Sequence, residues 1–381
     1  MAEAFIVGAV RTPIGKRGGG LSAVHPTDMG AHVLRELVGR TEVDPERIDD
    51  VIFGCVTQIG AQAFNTARTC WLGAGLPEVV PATTVDRQCG SSLQALHFAA
   101  QGVMSGTADL IVAGGVEAMS QVPIWAAVNV GREQGLGSPV SGEGYNSRFP
   151  HEPDQFRGAQ MIAEKWNIDR EEMERFALRS HQRAAAAWEA GHFDSEVTPL
   201  YGVSRDEGFR PDTTLERMAA LDTLPGYDRL TAAVASQVSD GAAALLVASE
   251  RAVNEHNLTP LARVAALAVV GVDPVIMLTG PIPVTERLLS GAGLHVDDVD
   301  LFEVNEAFAS VVLAWQAATG ADPERTNVNG GAIALGHPLG ATGAKLTATI
   351  INELERRKAR RGLVAICEGG GTANGILLER V

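Results

Sequence analysis

Two cysteines and one histidine lie in glycine-rich stretches that could support nucleophilic catalysis. His337 lies in GGAIALGHPLGATGA, residues 330–344, where five glycines allow a close backbone approach to a ligand and Pro338 stiffens the chain after the imidazole. An imidazole exchanges protons near neutral pH, so His337 is a candidate general base. A lone histidine is weak evidence, and the prediction therefore depends on partners elsewhere in the chain.

Cys89 is the first such partner. An apolar strand from Pro81 to Val85 is followed by CGSS and then by apolar residues at helical spacing up to Gly106. The helix dipole and free backbone amides at a helix start favour a thiolate, so we predict a lowered pKa for Cys89 and a nucleophilic role. The alternative is a buried apolar cysteine, which is common for this residue type. Its place beside Gly90, outside the apolar stripe, favours chemistry.

Cys367 takes the corresponding place in the second half of the chain. It follows the strand-like run 363–366 and precedes three glycines that begin at Gly369. Glycine amides at such a turn can hold an oxyanion. Asn305, in EVNEAF, follows another strand and either caps a helix over 306–318 or belongs to a site.

The surrounding pattern predicts an α/β protein with largely parallel sheets, because short β-branched runs alternate with Ala/Leu-rich helical stretches. Two internal similarities suggest a duplication, although short similarities also arise by chance. Residues 47–54 (RIDDVIFG) resemble residues 296–303 (VDDVDLFE), each an acidic turn that enters an apolar strand. The stretch 83–115, with a strand, the Cys89 turn and a helix, resembles the stretch 326–371, with a strand, the His337 loop and a helix. We predict an N-terminal half (1–118 plus 239–259), a loop domain (119–238) and a C-terminal half (260–381).

The middle segment has a strongly helical stretch at 169–193. Asp169 is a candidate N-cap, and Gly191 is a candidate stop. Its basic residues predict either a solvated helix face or, alternatively, contacts with a phosphorylated ligand. These residues are Lys165, Arg175, Arg179 and Arg183.

Composition excludes several classes of protein. The chain has 381 residues and a net charge of −15, which argues against a general binder of nucleic acid or anionic membranes. No apolar run approaches the ~20 residues of a membrane span, and the start lacks a signal-peptide pattern, so we expect a cytoplasmic protein. The four cysteines form no CxxC pair and show no zinc-ligand spacing, which predicts neither a metal site nor a disulfide framework.

Four motifs, taken together and in order, resemble the thiolase family. They are CGSS at Cys89, NEAF at Asn305, GHPLGATGA at His337 and CEGGG at Cys367. The similarity covers essentially the whole chain, including FIVGAVRTPIG near the start and FALRSHQRAAAA in the middle. It implies a five-layered α-β-α-β-α thiolase fold with two βαβαβαββ halves, a helical loop-domain insertion, and assembly as a homodimer or homotetramer.

The resemblance also implies roles for individual residues. In thiolysis of a 3-oxoacyl-CoA, Cys89 would be the nucleophile that forms an acyl-thioester, and His337 would be its general base. Cys367 would act as acid and base. Asn305 would hold a water that forms an oxyanion hole with His337, and the amides of Cys89 and Gly369 would form a second one. Coenzyme A would be a co-substrate, with no permanently bound cofactor.

Other positions bear on the substrate. Ser236 matches a family position that binds the pantetheine arm. Phe156 and Arg157 stand where acetoacetyl-specific members have His-Met, and Asp222 stands where many have an arginine near adenine. Glu368 replaces a small apolar residue. These departures favour a degradative thiolase for bulky acyl groups, in fatty-acid or sterol-type β-oxidation, over an acetoacetyl-CoA thiolase working in the Claisen direction.

Three other classes of protein fit the sequence less well. A decarboxylating ketoacyl synthase shares the fold but carries a second histidine or an asparagine late in the chain, where this sequence has Cys367. A dinucleotide-binding oxidoreductase is disfavoured because no GxGxxG opens a helix after the first strand. A non-catalytic acyl-CoA or lipid-binding protein would not need both cysteines, His337 and Asn305.

Overall fold

The computed structural model describes residues 2–381, whose strands form one ten-stranded mixed sheet. The strands are β1 (Ala4–Arg11), β2 (Gly15–Lys16), β3 (Asp50–Gly54), β4 (Ala82–Val85), β5 (Leu110–Ala118), β6 (Ser239–Ser249), β7 (Ala262–Gly271), β8 (Leu301–Val304), β9 (Arg361–Glu368) and β10 (Thr372–Arg380). Their order is β4-β3-β5-β6-β1-β7-β10-β9-β8, with β2 paired to β6.

The strand order has an internal pseudo-symmetry about the β1–β7 contact. From β1 outward, the first half pairs β1 with β6 and β6 with β5 antiparallel, and then β5 with β3 parallel. From β7 outward, the second half pairs β7 with β10 and β10 with β9 antiparallel, and then β9 with β8 parallel. The two similar halves predicted from the sequence are thus present. The prediction of largely parallel sheets is wrong, because β6 and β10 run antiparallel to their neighbours, and β10 returns from β9 through a tight glycine hairpin.

Helices cover both faces of this sheet. They are α1 (Pro26–Thr41), α2 (Thr66–Gly73), α3 (Ser91–Ser105), α4 (Ala126–Glu133), α5 (Glu143–Asn146), α6 (Gln155–Lys165), α7 (Arg170–Glu189), α8 (Leu215–Ala219), α9 (Glu250–Glu255), α10 (Pro281–Ala292), α11 (Ala309–Thr319), α12 (Ala332–Leu335) and α13 (Thr342–Arg357). Helices α3 and α13 pack on one another and on strands of both halves, so they form the central layer of the five-layered thiolase fold. Helices α1 and α2 cover the outer face of the first half, and α10 and α11 cover that of the second.

Helix α3 follows the predicted pattern closely. Its buried face includes Leu93, Leu96 and Val103, and it ends at Gly106, which adopts a left-handed φ of 76°. These side chains join a central apolar core that also contains Leu346 of α13. The packing of α3 against α13 therefore fixes the loops that precede both helices, where Cys89 and His337 lie.

The segment between β5 and β6 contributes helices α4 to α8. Asp169 caps α7 by accepting a hydrogen bond from the Glu172 amide at 2.8 Å, and Gly191 follows its end with a φ of 71°. Both features confirm the sequence prediction. Arg183 of α7 forms an ion pair with Glu324 at 2.8 Å, so this basic residue makes a contact within the protein. Across residues 2–381, none of the helices has the length and apolar character that a membrane crossing requires.

Candidate active site

The Cys89 loop is a tight turn between β4 and α3. Gln88 adopts a positive φ of 46°, which is rare for a residue with a side chain, and Gly90 precedes the first residue of α3. A β-carbon at Gly90 would collide with the Glu368 carboxylate and would lie 2.6 Å from Asn374 Oδ1. The turn therefore needs glycine at this position, and it holds Cys89 just before the helix start.

Burial controls the ionisation of Cys89. It raises the pKa of the thiol to about 12, and the nearby Glu368 carboxylate raises that pKa as well. The backbone N–H groups of Gly369 and of Cys89 itself lower the pKa, but they do not outweigh burial. The predicted lowering of the Cys89 pKa is thus wrong for the resting enzyme, because desolvation exceeds the effect of the amides. Cys89 rests as a neutral thiol.

Cys367 lies within electrostatic range of Cys89, although the two residues come from different halves of the chain. It is fully buried near the end of β9, and burial followed by the charge of Cys89 raises its pKa well above the ordinary value. The β9–β10 hairpin turns at Gly370 and Gly371, which have φ values of 85° and 80°. This turn places the Gly369 amide against Cys89. The structure thus brings together two thiols and one backbone donor.

His337 is held by two hydrogen bonds that define its tautomer. The Thr342 hydroxyl donates to the Pro338 carbonyl at 2.9 Å, so it accepts from His337 Nδ1–H at 2.6 Å. We therefore assign the lone pair to Nε2, which lies 3.3 Å from Nδ2 of Asn305. Burial, with a smaller contribution from Lys345, lowers the pKa of His337 to about 3. The imidazole is neutral at pH 7, and its unprotonated Nε2 accepts a long hydrogen bond from Asn305 Nδ2–H, so this nitrogen is the one that can take up a proton.

Asn305 belongs to this cluster and does not cap a helix. Helix α11 begins at Ala309 with Phe308 before it, three residues later than the cap interpretation requires. Asn305 Oδ1 is buried and has no partner among residues 2–381, and an unpaired acceptor of this kind suits an ordered water. Of the two interpretations left open by the sequence, the structure favours the site.

Glu117 was not among the residues predicted for the site, yet it ties the two halves together. Its buried carboxylate accepts hydrogen bonds from the amides of Val56 at 2.9 Å, Thr57 at 3.1 Å and Gly340 at 2.8 Å. The Gly340 bond anchors the His337 loop to the first half. The sequence held one indication of this role, a single acidic residue in the otherwise apolar strand LIVAGGVEA. Because a buried carboxylate requires several hydrogen-bond donors, such a residue is expected to bind several neighbouring groups.

The His337 loop also contacts the Cys89 side of the molecule directly. The Ala344 amide donates to Ser92 Oγ at 3.0 Å. A β-carbon at Gly54 would lie 2.6 Å from the Gly340 carbonyl oxygen and 2.5 Å from the Ser92 nitrogen. Glycine at residue 54 is therefore necessary for the close approach of the two loops.

Cys89 lies in the wall of a mainly apolar cavity of about 330 Å³, a size in the range of small-molecule sites. Both halves and the inserted segment supply its walls. Three of its non-glycine lining residues have positive φ values, namely Gln88 at 46°, Trp125 at 72° and Met277 at 31°. Backbone strain of this kind concentrates at functional sites. Other lining residues are Ile124, Ala307, Leu339 and Gly369.

Of the positions expected to contact CoA or the acyl chain, none lines this cavity itself, but Ser236, Phe156 and Arg157 lie close to it. The Ser236 amide donates at 2.9 Å to the carbonyl of Ala307, which lines the cavity. Phe156 packs edge-on against Phe308, with ring centroids 5.4 Å apart. Phe156 and Arg157 line an adjoining cavity of about 520 Å³. Asp222 is exposed after α8.

Glu368 provides a test of the electrostatics at Cys89. Burial raises the pKa of Glu368 to about 8, so its carboxylate is populated only above that pH. The charged form raises the Cys89 pKa, and we expect Glu368→Gln to lower it. Alkylation of Cys89 by iodoacetamide should then match the wild type below about pH 7 and be roughly threefold to tenfold faster near pH 10.

The measurement is the rate of Cys89 carboxamidomethylation as a function of pH, followed by peptide mapping. Thr372→Val is the companion variant, because the Thr372 hydroxyl donates to Glu368 and lowers its pKa. Without that donor the pKa of Glu368 should rise further. The pH above which alkylation becomes slower than in Glu368→Gln should therefore be higher for Thr372→Val than for the wild type. Superimposable profiles for Glu368→Gln and the wild type would exclude an effect of Glu368 on the thiol.

Comparisons with known proteins agree with this geometry. The family model described as thiolase, N-terminal domain, matches residues 4–251, and the thiolase C-terminal domain matches residues 258–380. The chain is 56% identical over 387 residues to the steroid 3-ketoacyl-CoA thiolase FadA6 of Mycobacterium tuberculosis, covering 100% of this chain and 95% of that protein. It is 43% identical to the 3-ketoacyl-CoA thiolase of Cronobacter sakazakii, with full coverage of both.

A solved structure shows the same fold. The human mitochondrial 3-ketoacyl-CoA thiolase in complex with CoA superposes with a TM-score of 0.89 at 38% identity, covering 100% of this chain and 98% of that one. Fold and site together define an acyltransferase in which two thiols meet at the junction of two similar halves. The chain belongs to the thiolase family, and it is an acyl-CoA thiolase of the β-oxidation type.

Proposed function

We propose that the enzyme cleaves bulky 3-oxoacyl-CoA substrates by thiolysis, with Cys89 as the nucleophile and CoA as co-substrate. The observation that carries this proposal is that Cys89 lines an apolar cavity and lies within electrostatic range of a second buried thiol, Cys367. One thiol can hold the acyl group while the other exchanges a proton, which is what cleavage between C2 and C3 requires.

In the first half-reaction, His337 Nε2 takes the proton of Cys89 as the sulfur attacks C3 of the substrate. The C2–C3 bond breaks, and its electron pair moves to C2 of the departing acetyl-CoA enolate. Asn305, through a water, and the His337 imidazolium stabilise the enolate oxygen. Cys367 protonates C2, which leaves an acyl-Cys89 thioester and a Cys367 thiolate.

In the second half-reaction, the Cys367 thiolate takes the thiol proton of CoA, and the CoA sulfur attacks the acyl-thioester. The amides of Cys89 and Gly369 stabilise the tetrahedral oxyanion, a role supported by their lowering of the Cys89 pKa. When the intermediate collapses, Cys89 leaves and takes its proton back from His337. Acyl-CoA is released, and both thiols and the imidazole return to their neutral resting forms.

The chemistry of the walls supports a large acyl group. Residues from both halves and from the inserted segment enclose the cavity at Cys89, and a second cavity adjoins it. The similarity to a steroid 3-ketoacyl-CoA thiolase supports the same substrate class. The inserted segment 119–238 would hold the CoA arm near Ser236, between the N-terminal half (1–118 plus 239–259) and the C-terminal half (260–381).

We also propose a homodimer, alone or as half of a tetramer, formed through the edge strand β4. This strand pairs only with β3, and a free sheet edge is commonly covered by another chain. Two large apolar side chains beside it are solvent-exposed, Phe64 at 86% and Val79 at 74%. A cytoplasmic location stays a prediction from the sequence.

The proposal is tested by locating the acyl group on the enzyme. After the enzyme is mixed with a 3-oxoacyl-CoA and without free CoA, we expect mass spectrometry to find an acyl adduct on Cys89. The adduct should form faster from a bulky 3-oxoacyl-CoA than from acetoacetyl-CoA. An adduct on another residue would overturn the assignment of the nucleophile, and a strong preference for acetoacetyl-CoA would overturn the substrate class.

A further inference from the structure

Two buried oxygens against the Cys89 turn have no hydrogen-bond partner among residues 2–381. They are Oε1 of Glu368 and Oδ1 of Asn374, and both residues are fully buried. A β-carbon at Gly90 would collide with the first oxygen and would lie 2.6 Å from the second, so both face the same point of the turn. Buried polar atoms are rarely left unpaired, and this pair therefore needs a physical explanation.

The register of the β9–β10 hairpin explains why the two side chains meet. Glu368 pairs with Thr372, and Asn374 lies two residues further along β10. Side chains two residues apart on a strand share one face of the sheet, so Glu368 and Asn374 are diagonal neighbours across the hairpin. Helix α3 packs against β10. The turn that precedes α3 therefore rests on a carboxyl group and an amide that the second half supplies.

The hydrogen bonds of this group show where a proton is needed. Asn374 Nδ2 donates to the Gly90 carbonyl at 2.9 Å. We assign this orientation of the amide because the reverse one would place Oδ1 against that carbonyl oxygen. The Thr372 hydroxyl donates to Glu368 Oε2, which leaves Oε1 and Asn374 Oδ1 as neighbouring acceptors. Two acceptors form a hydrogen bond only if one of them carries a proton, and here only the carboxyl group can be protonated.

The surroundings of Glu368 favour the neutral acid. Burial raises the pKa of its carboxyl group to about 8, and the charge of Asp86 raises it as well. The Thr372 hydroxyl and the charge of Arg87 lower this pKa, but they do not outweigh burial. Arg87 acts through its charge alone, without a hydrogen bond to the carboxyl group. Ionisation of Glu368 would therefore leave a buried carboxylate without a bound cation.

The other titratable groups around the Cys89 turn carry no charge at pH 7. Burial raises the pKa values of Cys89 and Cys367, so both thiols are neutral. His97 lies further along α3, where burial lowers its pKa to about 4, so the imidazole is neutral as well. Compared with these groups, Glu368 alone changes its charge between pH 7 and 9.

We infer that Glu368 rests as a neutral acid whose Oε1–H donates to Asn374 Oδ1, and that this hydrogen bond clamps the Cys89 turn to the β9–β10 hairpin. The same hairpin carries the Gly369 amide. Glu368 does not line the cavity at Cys89, so it is a positioning residue. It fixes the spacing of the two amides that form an oxyanion hole in the proposed mechanism.

Loss of the proton at alkaline pH replaces this hydrogen bond by repulsion between two oxygens. The hole formed by the two amides should then lose its geometry, and kcat should fall. This effect on turnover rests on the proposed function, whereas the position of the proton does not.

Infrared difference spectroscopy tests the position of the proton without any turnover. The spectrum of the wild type minus that of Glu368→Gln, recorded at about pH 6, should contain the C=O stretch of a protonated carboxyl group. On titration the band should disappear with a midpoint at about pH 8. A difference spectrum without this band at the lower pH would overturn the inference, whatever the activity of the enzyme.

The pH dependence of kcat tests the clamp. Glu368→Gln preserves it, because the new amide nitrogen donates to Asn374, its oxygen accepts from Thr372, and no proton can be lost. The kcat of this variant divided by that of the wild type should rise roughly tenfold between pH 7 and 9, as the wild type loses its proton. The corresponding ratio of KM values should stay constant, because the clamp lies outside the walls of the cavity.

Glu368→Leu distinguishes a clamp from a simple effect of charge. A leucine side chain is neutral like that of glutamine but donates no hydrogen bond, so kcat should be roughly tenfold below that of Glu368→Gln at every pH. Asn374→Leu should cause a similar loss, and the double variant should lose no more than either single variant. Equal kcat values for Glu368→Leu and Glu368→Gln would overturn the clamp, since charge would then account for the whole effect. Absence of thiolysis in the wild type, with the infrared band present, would overturn the proposed function alone.

Discussion

Replacement of Cys89 by alanine is expected to abolish thiolysis, lowering kcat by more than roughly 10⁴-fold. Without the sulfur no acyl-thioester can form, and neither His337 nor Cys367 occupies the position from which C3 is attacked. Steady-state assays with a 3-oxoacyl-CoA measure the loss, and intact-mass spectra should show no acyl adduct.

Cys70→Ala is the matched control for this variant. Cys70 is a fully buried thiol of α2 that packs in the apolar core of the first half. Its loss should cost about 1 kcal/mol of stability and leave turnover unchanged. Substantial activity in Cys89→Ala, with the adduct moved to another cysteine, would contradict the assignment.

Replacement of Cys367 by alanine should separate the two halves of the chemistry. Overall turnover is expected to fall by roughly 10²- to 10⁴-fold, because the acetyl-CoA enolate loses its proton donor. Transfer of an acyl group from a simple acyl-CoA to Cys89 should continue, since that exchange of thioesters involves no carbanion. Mass spectrometry of the Cys89 peptide follows the transfer.

Deuterium incorporation at C2 of acetyl-CoA provides the second measurement for Cys367→Ala. The wild type should catalyse this exchange in D₂O, and the variant should have lost it. A variant that exchanges these protons at the wild-type rate would require another acid-base group, and Glu368, next in the chain, would be the first candidate. Loss of both acylation and exchange would instead indicate damage to the cavity.

The extent of sequence-based prediction differs from residue to residue. Cys89, Cys367 and His337 could be proposed as site residues because small residues surround reactive ones at the ends of strands, where a core would need bulky side chains. Their meeting also depends on the pseudo-symmetric docking of the two halves. The internal sequence similarities predicted two similar halves but not how the two halves pack against each other.

Other features lay beyond the sequence for physical reasons. The pKa of Cys89 was predicted in the wrong direction, because local amides are visible in a sequence whereas desolvation depends on the folded surroundings. Asn305 could not be distinguished from a helix cap until α11 was seen to start at Ala309. Glu117 was missed because its donors come from two segments far apart in the sequence, at Val56–Thr57 and at Gly340.

The contacts that assemble the site join parts of the chain far apart in sequence. Glu117 and Gly340 are separated by 223 residues, Ser92 and Ala344 by 252, and Gly90 and Asn374 by 284. Contacts between residues so far apart in the sequence form late in folding, after local helices and hairpins, because large chain loops must first close. Recovery of enzymatic activity during refolding therefore reports the final docking of the two halves, whereas recovery of helical signal reports only the earlier, local steps.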